Sequence, residues 1–333
     1  MRFRDAALIC GCLTLATASE ARAWSEAGHK IIASIAFRQL TPAAQAKIAA
    51  VLRSHPRFAE DFARHMPTDI AADETAQNEW LFQQAAIWPD MARGLPEDLK
   101  RIYNHPTWHY IDIPSYLTDA DRDAIQPTLT INMSFDVPAT PAPEMNAIQT
   151  IRLARKTLAA GATDAAEAAV WFCWLLHDIG DIHQPLHSTA MFSTKLFPEG
   201  DKGGNSVPTQ QGFNLHALWD EFVGDWATFA MARDRAVELA GREGMAGLRP
   251  DAADPLDETT WLDESRQLAD TAVYTTELLG YLRVYATRSD TQQPLSPVRL
   301  SEEYLTTGVR VSTVRVAQAG FRLGAVLGAI AAP

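Results

Sequence analysis

His177-Asp178-Ile179-Gly180-Asp181-Ile182-His183-Gln184-Pro185-Leu186-His187 follows a run from Ala168 to Leu176 that is apolar on every side. That pattern marks a central helix buried all round, beginning near Thr163-Asp164. Positions 177 and 181 lie one turn apart, so an imidazole and a carboxylate leave the same face of an otherwise apolar helix. Burying both without partners is costly. Metal coordination satisfies the pair, and so does a His–Asp hydrogen bond inside a helix bundle. A second pair with the same spacing, His216 and Asp220, stands in Asn214-Leu215-His216-Ala217-Leu218-Trp219-Asp220. Two such pairs are much harder to ascribe to accident than one.

Outward from this centre the chain keeps a helical period. Thr41-Pro42 reads as an N-cap and first helical residue leading into Ala43 to Leu52. Met145 to Leu158 carries Ile148, Ile151, Leu153 and Leu158 on one side, and Gly161 ends it. Further helices are expected at Asn214 to Val223, Ala227 to Leu239, Glu258 to Leu282 and Ser301 to Ile330. His109 to Ile113 reads as a short extended piece stopping at Pro114, and the polar, Pro-rich stretch from Thr118 to Pro143 as an excursion loop. There is no internal repeat, so residues 24–333 are expected to form a single all-α domain, a multi-helix bundle with few short strands.

The amino terminus has basic Arg2 and Arg4, an apolar run from Ala6 to Ala16, and Ala21-Arg22-Ala23, the layout of a secretory signal cleaved before Trp24. The product is then exported, to a periplasm or outside the cell. Cys10-Gly11-Cys12 also admits a lipoprotein reading in which Cys12 is acylated. After cleavage Cys173 is the lone cysteine, so no disulfide can form within the mature chain. No other apolar run reaches the ~18 residues that a membrane span needs. The formal net charge is −12, and removing residues 1–23, which carry +1, leaves −13. A broad basic field for nucleic acid is therefore excluded, and any attraction for phosphate must be local.

His and Asp candidates also stand in Trp88-Pro89-Asp90 and Trp108-His109-Tyr110, whereas His183 cannot share the face of His177 and Asp181 and is expected in a supporting or surface position. His55, His65 and His105 lack partnered spacing. With Gly180 to His187, Gly203-Gly204-Asn205 and Asn214 to Asp220 in this order, the sequence from Trp24 to near Leu327 resembles the zinc-dependent single-strand nucleases and 3′-nucleotidases, relatives of zinc phospholipases C. The resemblance implies three zinc ions. One is held by Asp90, His109, His177 and a bridging Asp181, a second by Trp24 through its free amine and carbonyl with His29 and Asp181, and a third by His187, His216 and Asp220. It also implies Asp90 and Arg93 as catalytic residues, with Arg93 holding phosphate, and Tyr110, Asp112 and Asn205 as a base pocket. Lys202 stands before Gly203, where relatives usually carry an apolar residue.

Read this way, zinc activates water, Asp90 orients it toward phosphorus, and the products are 5′-nucleotides from single-stranded DNA or RNA, cut by a monomer. A phospholipase C is the nearest rival, although that branch usually has Glu where Asp220 stands. A non-catalytic secreted zinc-binding protein is the rival of another class. The charge balance yields a test: a protein that grips DNA through many Lys and Arg loses ~10³-fold or more in affinity between 50 and 200 mM salt. Here cleavage of single-stranded DNA at sub-saturating concentration is expected to change only several-fold over that range. A steep slope would reveal a basic groove absent from this reading.

Overall fold

The computed structural model describes residues 24–161, 164–251, 254, 256–288 and 294–332. The expected leader over 1–23, with Cys10 and Cys12, and Thr163 lie outside the described residues. In chain order the described elements are α1 (Glu26–Gln39), α2 (Pro42–Leu52), α3 (Glu74–Ala92), α4 (Glu97–Tyr103), β1 (Ile113–Tyr116), α5 (Asp119–Ile125), α6 (Ala147–Ala160), α7 (Ala165–Asp181), β2 (Thr189–Phe192), α8 (Leu215–Glu221), α9 (Phe229–Gly241), α10 (Glu258–Leu268), α11 (Thr276–Ala286) and α12 (Glu302–Ala331). The all-α expectation holds, and the two strands pair only with each other, in parallel, with Ile113 opposite Thr189 and Tyr116 opposite Phe192.

Side-chain caps set most helix starts. Thr41 Oγ1 accepts from Ala44 N, Asn146 makes a capping box with Gln149, and Asp164 Oδ1 accepts from Ala166 N and Glu167 N. Each satisfies a backbone N–H that the first turn leaves open. α7 is buried continuously from Trp171 to Asp181 and packs against α6, α3, α2 and α12. Its last apolar residues, Ile179 and Ile182, belong to the larger core, whereas Leu186, Leu215 and Trp219 belong to a second core. The His177 to His187 segment therefore crosses the seam between the two.

Several boundaries differ from expectation. Pro106–His109 is a 3₁₀ turn, and the strand begins at Ile113 and runs through Pro114, which a two-stranded ribbon tolerates on its free edge. Within Thr118 to Pro143, α5 forms because Thr118 caps it by accepting from Asp121 N. The helix expected from Glu258 to Leu282 is divided into α10, a π-turn at Ala269–Val273 and α11, since Tyr274 leaves helical geometry to donate its hydroxyl to Asp201 Oδ2 at 2.6 Å. α3 was not foreseen. Its buried Asn78, Glu79, Gln83 and Gln84 hide any apolar period, and each is met by a distant partner, as Gln83 Nε2 is by Ser34 Oγ at 2.7 Å.

α12 is long and apolar enough, by length and composition only, to span a membrane. However, 61% of its most apolar window is buried inside the protein, and it carries buried Arg315 and Arg322, both donating to Glu264. α12 lies along α1, where a Cβ on Gly320 would stand 2.6 Å from Ile35 Cβ and 3.2 Å from Ile32 O. Neither helix can yield without moving its neighbours, so Gly320→Val is expected to cost about 1–3 kcal/mol by overpacking. A urea midpoint equal to wild type would show that the α1–α12 contact is looser than described.

Candidate metal centre

The end of α7 presents Asp181 with no exposed surface, and its two carboxylate oxygens face different ways. Oδ1 meets His29 Nε2 from α1 at 3.2 Å. Oδ2 meets His177 Nε2 and His109 Nδ1, each at 3.2 Å. Asp90, in the last turn of α3, places Oδ1 3.9 Å from His177 Nε2 and 2.9 Å from the Arg93 guanidinium. Across the seam, His187 Nε2 lies 3.1 Å from His216 Nε2, which lies 3.5 Å from Asp220 Oδ2. Among the described residues three groups can hold a metal ion: His109 with His177, Asp178 and Asp181; His29 with Asp90 and His177; and His187 with His216 and Asp220.

The hydrogen bonds on the far side of each ring show which nitrogen faces the cluster. His177 Nδ1 donates to Ala86 O at 2.7 Å, His187 Nδ1 to His109 O at 2.7 Å, and His216 Nδ1 to Gly203 O at 2.6 Å. A carbonyl accepts only from N–H, so in the neutral rings each Nε2 carries a lone pair. His187 Nε2 and His216 Nε2 thus face one another at 3.1 Å, an arrangement that a proton or a metal ion between them relieves. Burial lowers the pKa of His187, which disfavours a proton there, and a metal ion with Asp220 as a further donor fits. The Gly203 carbonyl is available because that residue takes φ +58°, and a Cβ there would lie 2.4 Å from Leu186 O.

Charge distribution agrees. Burial by itself would raise the pKa of Asp181, but the facing imidazoles of His177 and His187 outweigh it and hold the carboxyl well below its usual range. Burial pushes Asp220 well above its usual range despite the hydrogen bond from Gln184 Nε2 at 2.7 Å. Burial, with Arg93 nearby, holds His109 down to about 3. Burial works to lower His177, but the charges of Asp181 and Asp90 outweigh it and raise its pKa, so the buried carboxyls here call for positive charge that a divalent cation can supply. The orphaned buried atoms His29 Nε2 and Asp181 Oδ1 point to the same conclusion.

Trp24 is fully buried beside this cluster. Its indole donates to Gly180 O at 2.9 Å, and the amide of Ser25 donates to Asp220 O at 3.2 Å, which fixes the start of α1 against both halves of the site. Tyr110 and Asp112 follow His109 and are partly buried. Burial, reinforced by the charge of Asp201, pushes Asp112 up to about 7. Asp201 itself, raised by burial to about 6, was not foreseen as part of this region. Asn205 donates to Lys202 O at 2.8 Å and accepts from Asn214 Nδ2 at 3.2 Å, so it is tied to the cap of α8. His183 is no ligand. It is buried, donates from Nδ1 to Ile179 O at 2.7 Å and meets Arg322 at 2.9 Å, bracing α7 against α12. His55 is buried against Trp88, His65 is exposed, and His105 stacks on Trp108.

The family profile described as S1/P1 Nuclease matches residues 24–332. The chain belongs to the S1/P1 nuclease family. It is 31% identical over 163 residues to Endonuclease 4 of Arabidopsis thaliana, covering 47% of this chain and 49% of that protein. Over 336 residues it is 25% identical to Endonuclease 1 of the same plant, covering 96% and 91%. The matches to Endonuclease 4 and Endonuclease 3 span half the length of those relatives or less, 49% and 50%. The S1/P1 nuclease family is zinc-dependent, in keeping with the donor set above. Gln184, Ala86 and Gly203 support that set: Gln184 and Gly203 lie inside motifs that the sequence displays, whereas nothing along the chain marks Ala86. Because Asp181 faces two groups of donors, Asp181→Asn is expected to remove more bound zinc than His216→Ala. Equal losses by elemental analysis would show that Asp181 is not shared.

Proposed function

We propose that this chain is an exported zinc nuclease that hydrolyses phosphodiester bonds of single-stranded DNA or RNA to 5′-nucleotides and also acts as a 3′-nucleotidase. The observation that carries this reading is the two-faced Asp181 flanked by imidazoles whose inward nitrogens converge. Asp90, His109, His177 and Asp181 would hold one zinc ion, Trp24, His29 and Asp181 a second, and His187, His216 and Asp220 a third. Zinc bound there supplies Lewis acidity, lowering the pKa of water toward ~7 and neutralising charge on phosphate.

The remaining work falls to the chain. Arg93, 15% exposed beside Asp90, presents a planar fork that suits two phosphate oxygens. Asp90 accepts a proton-bearing contact from the attacking water and orients it toward phosphorus. The Tyr110 ring would offer a face to a base, and Asp112 and Asn205 would meet the edge of that base, which would favour strands whose bases are unstacked. Cleavage before Trp24 would free an amine at the cluster. That reading is supported by the contacts of Trp24 and Ser25 and by a family match that begins at residue 24.

Mature protein incubated with single-stranded DNA, RNA and phosphatidylcholine, with and without chelator, tests the proposal. Chelator-sensitive release of 5′-nucleotides is expected, with the lipid untouched. Lipid cleavage would reassign the chain to a phospholipase C, and zinc binding without any hydrolysis would make it a metal-binding protein.

A further inference from the structure

Three of the imidazoles around the cluster have their outward nitrogen seated on a backbone carbonyl; His29 and His109 do not, and of these two it is His109 that groups with Asp178. Its Nδ1 faces His177 Nε2 at 2.8 Å and Asp181 Oδ2 at 3.2 Å, while its Nε2 is buried with no hydrogen-bond partner. One residue after His177, Asp178 is fully buried and neither of its oxygens makes a hydrogen bond. An oxygen of Asp178 nevertheless lies within 4.8 Å of a donor atom of each of His109, His177 and Asp181. Asp178 also falls one helical turn after Trp174, whose ring meets that of His109 at 5.1 Å. The two orphans therefore share one side of α7. Each carries a desolvation cost alone, and a single hydrogen bond between them relieves both.

We propose that Asp178 is a positioning residue that accepts the Nε2–H of His109, fixing the tautomer and ring orientation in which Nδ1 faces the metal. The proposal rests on the reading that zinc is held by His109, His177 and Asp181. A carboxylate on the outer nitrogen of a ligating histidine raises its basicity and sets its direction. Direct coordination by Asp178 is disfavoured because Asp90, His109, His177 and Asp181 already offer four donors. No other carboxyl in the cluster has this place: Asp90 pairs with Arg93, and Asp220 accepts from Gln184.

The test uses full-length mature protein as wild type, Asp178→Asn and Asp178→Leu. Zinc affinity is read by chelator competition, and the His109 ring protons by nitrogen-15 histidine labelling. Asp178→Leu is expected to weaken the most easily lost zinc by about 10–100-fold. Asp178→Asn, which keeps an acceptor oxygen, is expected to stay within a few-fold of wild type. In zinc-loaded wild type the His109 Nε2–H signal should be shifted by a strong hydrogen bond, and the Leu variant should lose that shift. Equal affinities and an unshifted signal would overturn the proposal and leave Asp178 a buried acid of the core. A lower zinc coordination number in the Leu variant by X-ray absorption would also overturn it, in favour of direct ligation. Should the Leu variant fail to fold, the wild-type signal still decides. Wild-type protein that binds no zinc would refute the functional reading instead, a result visible before any variant is made.

Discussion

The centre of this protein is held by a carboxylate that has no access to water and must share its charge in two directions. Asp181 projects from the end of a helix whose earlier turns are apolar, so within its own element only His177 can help to balance it. Removal of such an ion from water is affordable only where positive charge and hydrogen bonds are delivered from elsewhere. Here α1 delivers His29, the turn before β1 delivers His109, and α7 itself delivers His177. The packing of α1, α3 and α7 is therefore also the assembly of a cation site.

The backbone supplies the next layer. Carbonyls of Ala86, His109 and Gly203 take the outward N–H of His177, His187 and His216, which leaves the inward nitrogens as lone pairs. Ala86 lies two turns from the end of α3, next to Ala85, whose carbonyl Pro89 leaves without its helical N–H. His109 acts in two ways, since its ring faces Asp181 while its carbonyl orients His187 across the seam. A shift of α3 or of the Gly203 turn would reach the site through ring orientation, even with every ligand unchanged.

An acidic chain that acts on a polyanion needs its positive charge concentrated. With a net −12, this one carries it in the cluster and in Arg93, whose guanidinium is restrained by Asp90. Lys202, exposed and held at φ +58° in the turn before Gly203, adds one cation at the rim.

Much of the site was legible along the chain because it is local. The i, i+4 pairs His177–Asp181 and His216–Asp220, the all-apolar run before the first pair, and the cap at Thr41 all lie within one or two helical turns. The period of an α-helix converts such spacing directly into a shared face. What joins His29, Asp90 and His109 to Asp181 is not local. α3 showed no readable period, since its buried Gln83, Gln84, Asn78 and Glu79 are satisfied by partners from other segments. The division between α10 and α11 was equally hidden, depending on Tyr274 reaching Asp201. Short-range spacing thus determined which residues pair on a helix and that the protein is all-α. The tertiary structure alone decided which pairs meet, which nitrogen of each ring points inward, and that Asp178 is buried without a partner, because a buried polar group is settled by distant groups that fold against it.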